Sequence, residues 1–445
     1  MKRIWVVLLA LGLIAAFSTT GFALDVKFSG EYYAAGMYLD KTSLRNDVAD
    51  AGPSTAFFYQ RLRVRTDFTV SPGLKLITRF DAMERAWGTG RSAASTTLAT
   101  DSSGSRAENE NIAFDWAYLE YKSPIGEFRV GAMNKGTTGT VFGNNIQPAY
   151  RIKYVYTQGP FVLDATYTKL KESSRTAINT VSYADADQDE YSIEPIFKWK
   201  DGRAGIGIAY VRQADNRPGS DYTKKYWQFV PYAFHKFGPV ALEAEAGYAT
   251  GKEREYETTA ADIDLTSLSA YLNATADLGM FYVGGTVAYV SGDDPGTADK
   301  REGGTFTGGR DWNPTLIMWN YERTNWAGAL TGHNGANQDT RMANGWFFQG
   351  RAGVKPVKEL DIMASVSYAM ADKKPWAVAG DPTSEYVSNV YGWEVDVTAT
   401  YKITQNLSYM LGVGYLFTGD YYKGASEANQ LTNDYLVINK LTLTF

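Results

Sequence analysis

Apolar and polar side chains alternate with a period of two along most of this chain. In residues 359–371, Leu360, Ile362, Ala364, Val366, Tyr368 and Met370 fall on one side, while Asp361, Ser365 and Ser367 fall on the other. In 389–402, Trp393, Val395, Val397, Ala399 and Tyr401 alternate with Glu394, Asp396, Thr398 and Thr400. Successive side chains of an extended strand point to opposite faces, so each segment has one oily and one watery face. The pattern predicts strands at 25–40, 56–70, 74–86, 112–122, 127–136, 150–157, 161–171, 190–200, 203–213, 222–235, 239–250, 265–277, 280–291, 342–355, 359–371, 389–402, 406–418 and 433–445.

The connections alternate in length as well. Turn formers close the short ones, among them Ser71-Pro72-Gly73, Gln158-Gly159-Pro160, Asp201-Gly202 and Leu278-Gly279. The intervening ones run long: 41–55, 87–111, 137–149, 172–189, 214–221, 251–264, 292–341, 372–388 and 419–432. A soluble β-sandwich or propeller can alternate too, but it gives no reason for long loops at one end only. The expectation is all-β: a transmembrane antiparallel β-barrel of 18 strands, with 16 as the alternative count, short periplasmic turns and long extracellular loops. An even count returns both termini to the periplasmic side. The apolar set is assigned to lipid, because a charge at the bilayer midplane costs about 2–4 kcal/mol whereas a watery lumen tolerates it; the interior is therefore expected to be polar.

The amino end supplies the compartment. Lys2 and Arg3 precede an apolar stretch from Ile4 to Ala16, and Gly21-Phe22-Ala23 presents small residues at a signal-peptidase position. Residues 1–23 are expected to be a cleaved signal peptide, leaving 24–445 as the pore domain in the outer membrane. Losing two cationic side chains takes the formal charge from −5 to −7. Nucleic acid is excluded as a partner because its backbone requires a basic footprint.

With no cysteine there is no disulfide, thiolate catalysis or thiolate-bound metal. His235 and His333 are far apart and sit in no zinc motif, and no acid/base or nucleophile/base pair stands out. No enzyme activity, cofactor or metal is expected. Asp293 and Asp294 lack a full calcium-ligand spacing.

The candidate chemistry lies on the inward face. Arg61, Arg63 and Arg65 share one side of a strand, and side chains at i and i+2 are about 6.6 Å apart, which makes a ladder of permanent positive charge. Arg79 and Arg85 on the next strand, then Arg129, Arg151 and Lys153, extend this basic wall. Glu194, Glu243, Glu245, Asp361, Glu394 and Asp396 turn inward from later strands, placing carboxylates across the lumen. Such a separation produces a transverse field that orients dipolar solutes. Two roles remain open for the ladder: contact with permeating solutes, or bracing of the wall by pairing with Asp67, Asp81 and Asp115. Connection 292–341 is the longest, and its apolar patch Leu316-Ile317-Met318-Trp319 suits packing at the barrel mouth better than open solvent. It is the candidate constriction, with Asp293, Asp294, Arg310, Asp311 and Trp312 as its residues; 137–149 is a second candidate for folding inward.

Residues 24–445 resemble Gram-negative general porins and related channel families, through the leader end, the arginine ladder, the alternating connection lengths and the terminal Leu443-Thr444-Phe445. The stretch Tyr289-Val290-Ser291-Gly292-Asp293-Asp294, followed by Gly308-Gly309-Arg310-Asp311-Trp312-Asn313-Pro314, is similar to phosphate- or carbohydrate-selective and alginate-export-like porins of 16 to 18 strands. The resemblance implies passive diffusion of small hydrophilic solutes, contact with outer-membrane lipid and lipopolysaccharide, a homotrimer, and Phe445 as the assembly signal. A channel selective for an anionic sugar or polysaccharide, and a scaffold barrel in a larger complex, are the alternatives. One departure stands out: general porins place the constriction loop third, whereas the largest loop here follows the thirteenth strand.

Overall fold

In a computed structural model, residues 25–46, 54–88, 112–173, 186–216 and 220–445 are described. The expected signal peptide lies outside them. Eighteen strands form the wall. The first nine are β1 (Asp25–Leu39), β2 (Thr55–Ser71), β3 (Leu74–Ala86), β4 (Ala113–Ser123), β5 (Gly126–Lys135), β6 (Gln147–Gln158), β7 (Phe161–Lys171), β8 (Gln188–Trp199) and β9 (Gly202–Gln213). They continue as β10 (Tyr222–Phe237), β11 (Val240–Tyr256), β12 (Ile263–Leu278), β13 (Phe281–Val290), β14 (Gly345–Val357), β15 (Leu360–Met370), β16 (Val390–Lys402), β17 (Leu407–Thr418) and β18 (Asp434–Thr444). Each pairs antiparallel with its neighbours in the chain, and β18 returns to β1 from Glu31↔Thr444 to Leu39↔Leu436, so the sheet has no free edge. At this seam Phe445 exchanges backbone hydrogen bonds with Gly30, and its ring lies where a Cβ on Gly30 would stand, 2.7 Å from Cζ.

Every expected strand is present. The main difference in extent is β11, which continues to Tyr256, six residues past the expected end at 250. Lys252-Glu253-Arg254-Glu255 has no apolar alternation and reads as loop. In the folded chain Lys224 pairs with Glu253 at 2.6 Å and Lys225 with Glu255, holding the extension against β10.

The outer face is apolar: Phe28, Phe114, Leu119, Ile152, Leu272 and Val413 are all exposed. No described helix is long and apolar enough to cross a membrane; the strands do so instead.

The interior departs from the expectation of a polar lumen throughout. Between β13 and β14, much of 291–344 folds inside the barrel as a long inserted loop. It carries α1 (Tyr321–Ala327), whose Asn320 cap accepts the Arg323 N–H at 2.8 Å. Trp312, Ile317, Met318, Trp319, Trp326 and Leu330 of this loop are buried against wall residues including Met37, Tyr59, Phe347, Tyr391 and Leu416. Ala35, Ala288 and Ala369 keep the wall thin there. The sector formed by β12–β18 and β1–β2 is therefore an apolar socket, while the remaining arc stays polar. Lys440 on β18 pairs with Glu322 of α1 at 2.8 Å, a contact across 118 positions of the chain.

Candidate solute pathway

The free arc of the lumen is bounded on one side by the wall and on the other by two inserted loops. The shorter, 136–146, lies between β5 and β6 and turns inward to meet the long loop. Phe142 stacks on Tyr271 with centroids 5.0 Å apart and takes Trp312 edge-on at 5.0 Å. Gly309 N–H donates to the Phe142 carbonyl at 2.5 Å, and Arg310 N–H to Asn145 Oδ1 at 3.0 Å. Only glycine fits at 309, because a Cβ there would stand 1.8 Å from the Asn144 carbonyl oxygen. Against these joined loops lies a cavity of about 340 Å³, whose lining includes Lys135, Arg151, Lys153, Glu190, Glu194 and Arg341.

Strand register places Arg61, Arg63 and Arg65 on the inward face with Tyr33, and Arg79 opposite Arg65. All four are neutralised by carboxylates. Arg61 meets Glu31 at 3.3 Å; Arg63 forms a fork with Asp81 at 2.6 and 2.7 Å; Arg65 does the same with Asp67 at 2.7 and 3.1 Å; Arg79 donates to Asp115 at 2.8 Å. The partners include the three aspartates expected of a bracing role. Arg129 sits between Glu127 and Glu120, Lys153 pairs with Asp164, and Lys135 with Glu190 at 2.7 Å. Arg151 differs: it donates to Thr168 Oγ1 at 3.1 Å and to the Asn134 carbonyl at 2.8 Å, with no carboxylate within 4.0 Å among the described residues.

Arg85 does not line the pore. Three residue steps on β3, from Ala82 to Arg85, stand against two on β2, from Leu62 to Gln60. This bulge, at Met83 with φ 56°, reverses the alternation, turning Glu84 and Ala86 inward and Arg85 outward beside Met83.

The acidic residues divide into three groups. Glu194 faces the free arc and accepts from Tyr232 at 2.7 Å and Thr138 at 3.2 Å; Glu243 faces inward on β11, and Asp361 accepts from Tyr282 at 2.8 Å. Glu245 lies under the short loop. Glu394 and Asp396 are buried beneath the long loop, at 0% and 2% exposure, so they line no water path. A period of two establishes that a side chain points inward, but not what occupies the space it points into.

Of the expected constriction residues, Asp293 and Asp294 stay at the long-loop rim, bound to Arg301 at 2.5 Å and Lys373 at 3.5 Å. Trp312 is buried as a packing anchor between Phe142 and Phe347. Arg310 and Asp311 do lie within the barrel. Burial raises the Asp311 pKa above the usual carboxylate value, opposed by the Ile146 N–H and by Arg63, Arg310 and Arg79. Arg341 is held down by burial and then by the nearby positive charge of Arg310. Neither Arg310 nor Arg341 has a carboxylate within 4.0 Å among the described residues; Arg310 lies over the Tyr321 ring at 4.8 Å.

Arg341 and Arg351 are among the inward cations that the sequence reading left unassigned. Nothing in the pattern near Arg341 aims it at the lumen. Arg351 was legible, because Phe347, Gln349 and Arg351 alternate on one face of β14. It donates to Asn273 at 2.7 Å, Thr275 at 2.5 Å and Thr286 at 2.9 Å.

Comparison with known proteins agrees with this architecture. The family model for Gram-negative porins matches residues 9–351. None of the curated proteins matches the chain. Among solved structures, Pseudomonas aeruginosa OccK2 (OpdF) in complex with glucuronate is similar at 12% identity and a TM-score of 0.52, covering 96% of this chain and 99% of that one. Pseudomonas aeruginosa OccK11 (OpdR) is similar at 13% identity and a TM-score of 0.50, covering 95% and 96%. The fold is thus shared with outer-membrane channels, and the family match spans most of the chain. A closed strand wall, an apolar outer belt and a polar arc of lumen are what a diffusion channel in a lipid bilayer requires, and this chain belongs to the Gram-negative porin family, whose members carry small solutes passively across the outer membrane.

Proposed function

We propose that this porin favours small anionic, hydrophilic solutes. The supporting observation is the contrast between two sets of cations. The ladder arginines are each bonded to a carboxylate, whereas Arg151, Arg310 and Arg341 have no carboxylate within 4.0 Å among the described residues. A guanidinium fork presents paired N–H donors in the geometry of a carboxylate or phosphate, so it can replace part of the hydration shell such a solute leaves behind. Arg151 and Arg341 line the same cavity. The glucuronate bound to OccK2 combines one carboxylate with hydroxyl groups, which is the kind of solute this arrangement would accept. Transport on this reading is diffusion through water, with no bond made or broken. The homotrimer and the cleavage after Ala23 belong to the same proposal, carried by resemblance and by the leader sequence.

The double variant R310Q/R341Q is expected to shift the reversal potential in a salt gradient toward cations while single-channel conductance stays close to that of the parent. An unmoved reversal potential would reject a selective role for these two residues.

A pH dependence follows from Asp311. Its pKa is raised, so on acidification it loses its negative charge before an ordinary carboxylate does, while Arg63, Arg79 and Arg310 beside it stay charged. The anion-to-cation permeability ratio should therefore rise as the solution is acidified and fall back on neutralisation. D311N should start from the higher ratio and respond less; an identical pH response in D311N would rule the residue out as its source.

A further inference from the structure

Two inward wall carboxylates are engaged by loop backbone instead of by cations. Glu394 on β16 accepts the Ile317 N–H at 2.6 Å through one oxygen and the Met318 N–H at 2.7 Å through the other. Asp396, on the same face, lies against Leu316, and a Cβ on Gly414 of β17 would come within 2.7 Å of Asp396 Oδ1 and 3.1 Å of Leu316 Cβ. A Cβ on Gly412 would likewise stand 3.1 Å from Leu316 Cδ1. The wall is therefore recessed where loop residues 316–318 rest on it.

The same arrangement recurs under the short loop. Glu245 on β11 accepts both Thr140 N–H, at 2.5 Å, and Thr140 Oγ1, at 2.9 Å. Gly139 and Gly143 flank it, and a Cβ on either would meet a Glu245 oxygen at 2.2 or 2.9 Å. Neither Glu245 nor Glu394 has a Lys or Arg nitrogen within 4.0 Å among the described residues. A buried carboxylate needs donors in place of the water it has lost, and here consecutive or neighbouring loop N–H and O–H groups provide them. The interaction is mutual, since irregular backbone inside a barrel also needs partners for its N–H groups.

We propose that Glu394 and Glu245 are positioning residues, each the seat of one inserted loop, and that together they set the width of the water path without touching solute. Carboxylate and glycine recess act as a unit: the oxygens take the loop N–H groups, and the missing side chains let the loop approach closely enough to reach them. The two seated loops then lock to each other through Gly309 and Phe142. This rests on the loops bounding the path, and not on the preference for anions.

Planar-bilayer recording of purified full-length protein tests the seats. E394Q keeps the size of the side chain but turns an amide NH₂ toward a backbone N–H, and I317P removes the donor from the loop side while leaving the wall untouched. Each should raise single-channel conductance roughly twofold, as the open cross-section grows, with flicker between levels, while the barrel keeps its heat-dependent gel migration. Because both break one interaction, E394Q/I317P should gain little over either single change. E245Q should act in the same direction through the short loop. If E394Q does not assemble, I317P decides the question alone. Folded E394Q and I317P channels with the parent's conductance and steady current would overturn the proposal. The anion preference is read separately, from the reversal potential of R310Q/R341Q.

Discussion

Replacing residues 304–341 with a short glycine-serine linker is expected to raise single-channel conductance severalfold and to admit solutes that the parent channel excludes. The segment removed carries α1 and the apolar cluster of Trp312, Ile317, Met318, Trp319, Trp326 and Leu330, which fills the socket between β12–β18 and β1–β2. Conductance should follow the cross-section recovered, because no strand is lost and the ladder of hydrogen bonds that closes the wall is intact. Stability should fall. Burying one large apolar side chain is worth about 1.5–3 kcal/mol, and several wall residues, including Met37, Tyr59, Phe347 and Leu416, would lose their covering. Lys440 would also lose Glu322. The variant should therefore unfold at a lower temperature while retaining its strand content. Excision that left the single-channel current unaltered would show that the loop does not restrict the path.

The triple variant R61Q/R63Q/R65Q is expected to turn the channel toward cations. Three positive charges disappear, and Glu31, Asp81 and Asp67 are left without the cations that balance them. The contributions are unequal. Asp81 is 7% exposed and held by a bidentate fork, so losing Arg63 leaves a nearly buried charge uncompensated; breaking such a pair from one side costs about 3–5 kcal/mol. The Arg65 side chain is 38% exposed, and its pair with Asp67 contributes at most about 1 kcal/mol to stability. A double change, R63Q/D81N, removes both charges together and serves as the control: it should recover most of the stability and keep the parent's selectivity. A reversal potential unchanged in the triple variant would confine the ladder to bracing the wall.

How far the sequence could be read depended on whether a feature is local. Strands were legible because alternation is a property of consecutive residues, and even the faces were right for the ladder, for Arg129, Arg151 and Lys153, and for the inward acids. Arg85 was misread because one bulge at Met83 reverses the alternation beyond it, and a bulge of this kind leaves no mark in the apolar pattern. Leu316-Ile317-Met318-Trp319 marked its loop as one that packs. Its seat on Glu394 was not visible, since that carboxylate is 76 and 77 positions away along the chain.

The sequence by itself determined the class of this protein. A period of two, short turns alternating with long connections, and apolar outer positions admit a closed strand wall in lipid, because unpaired backbone cannot be tolerated in hydrocarbon. Only the tertiary structure decided which arc of the lumen stays open, which arginines are neutralised, and that Glu245 and Glu394 face loop backbone instead of water. Those outcomes depend on where two irregular segments come to rest inside the barrel, and that is settled by contacts such as Lys440 with Glu322 and Gly309 with Phe142, whose partners are more than a hundred residues apart in the chain.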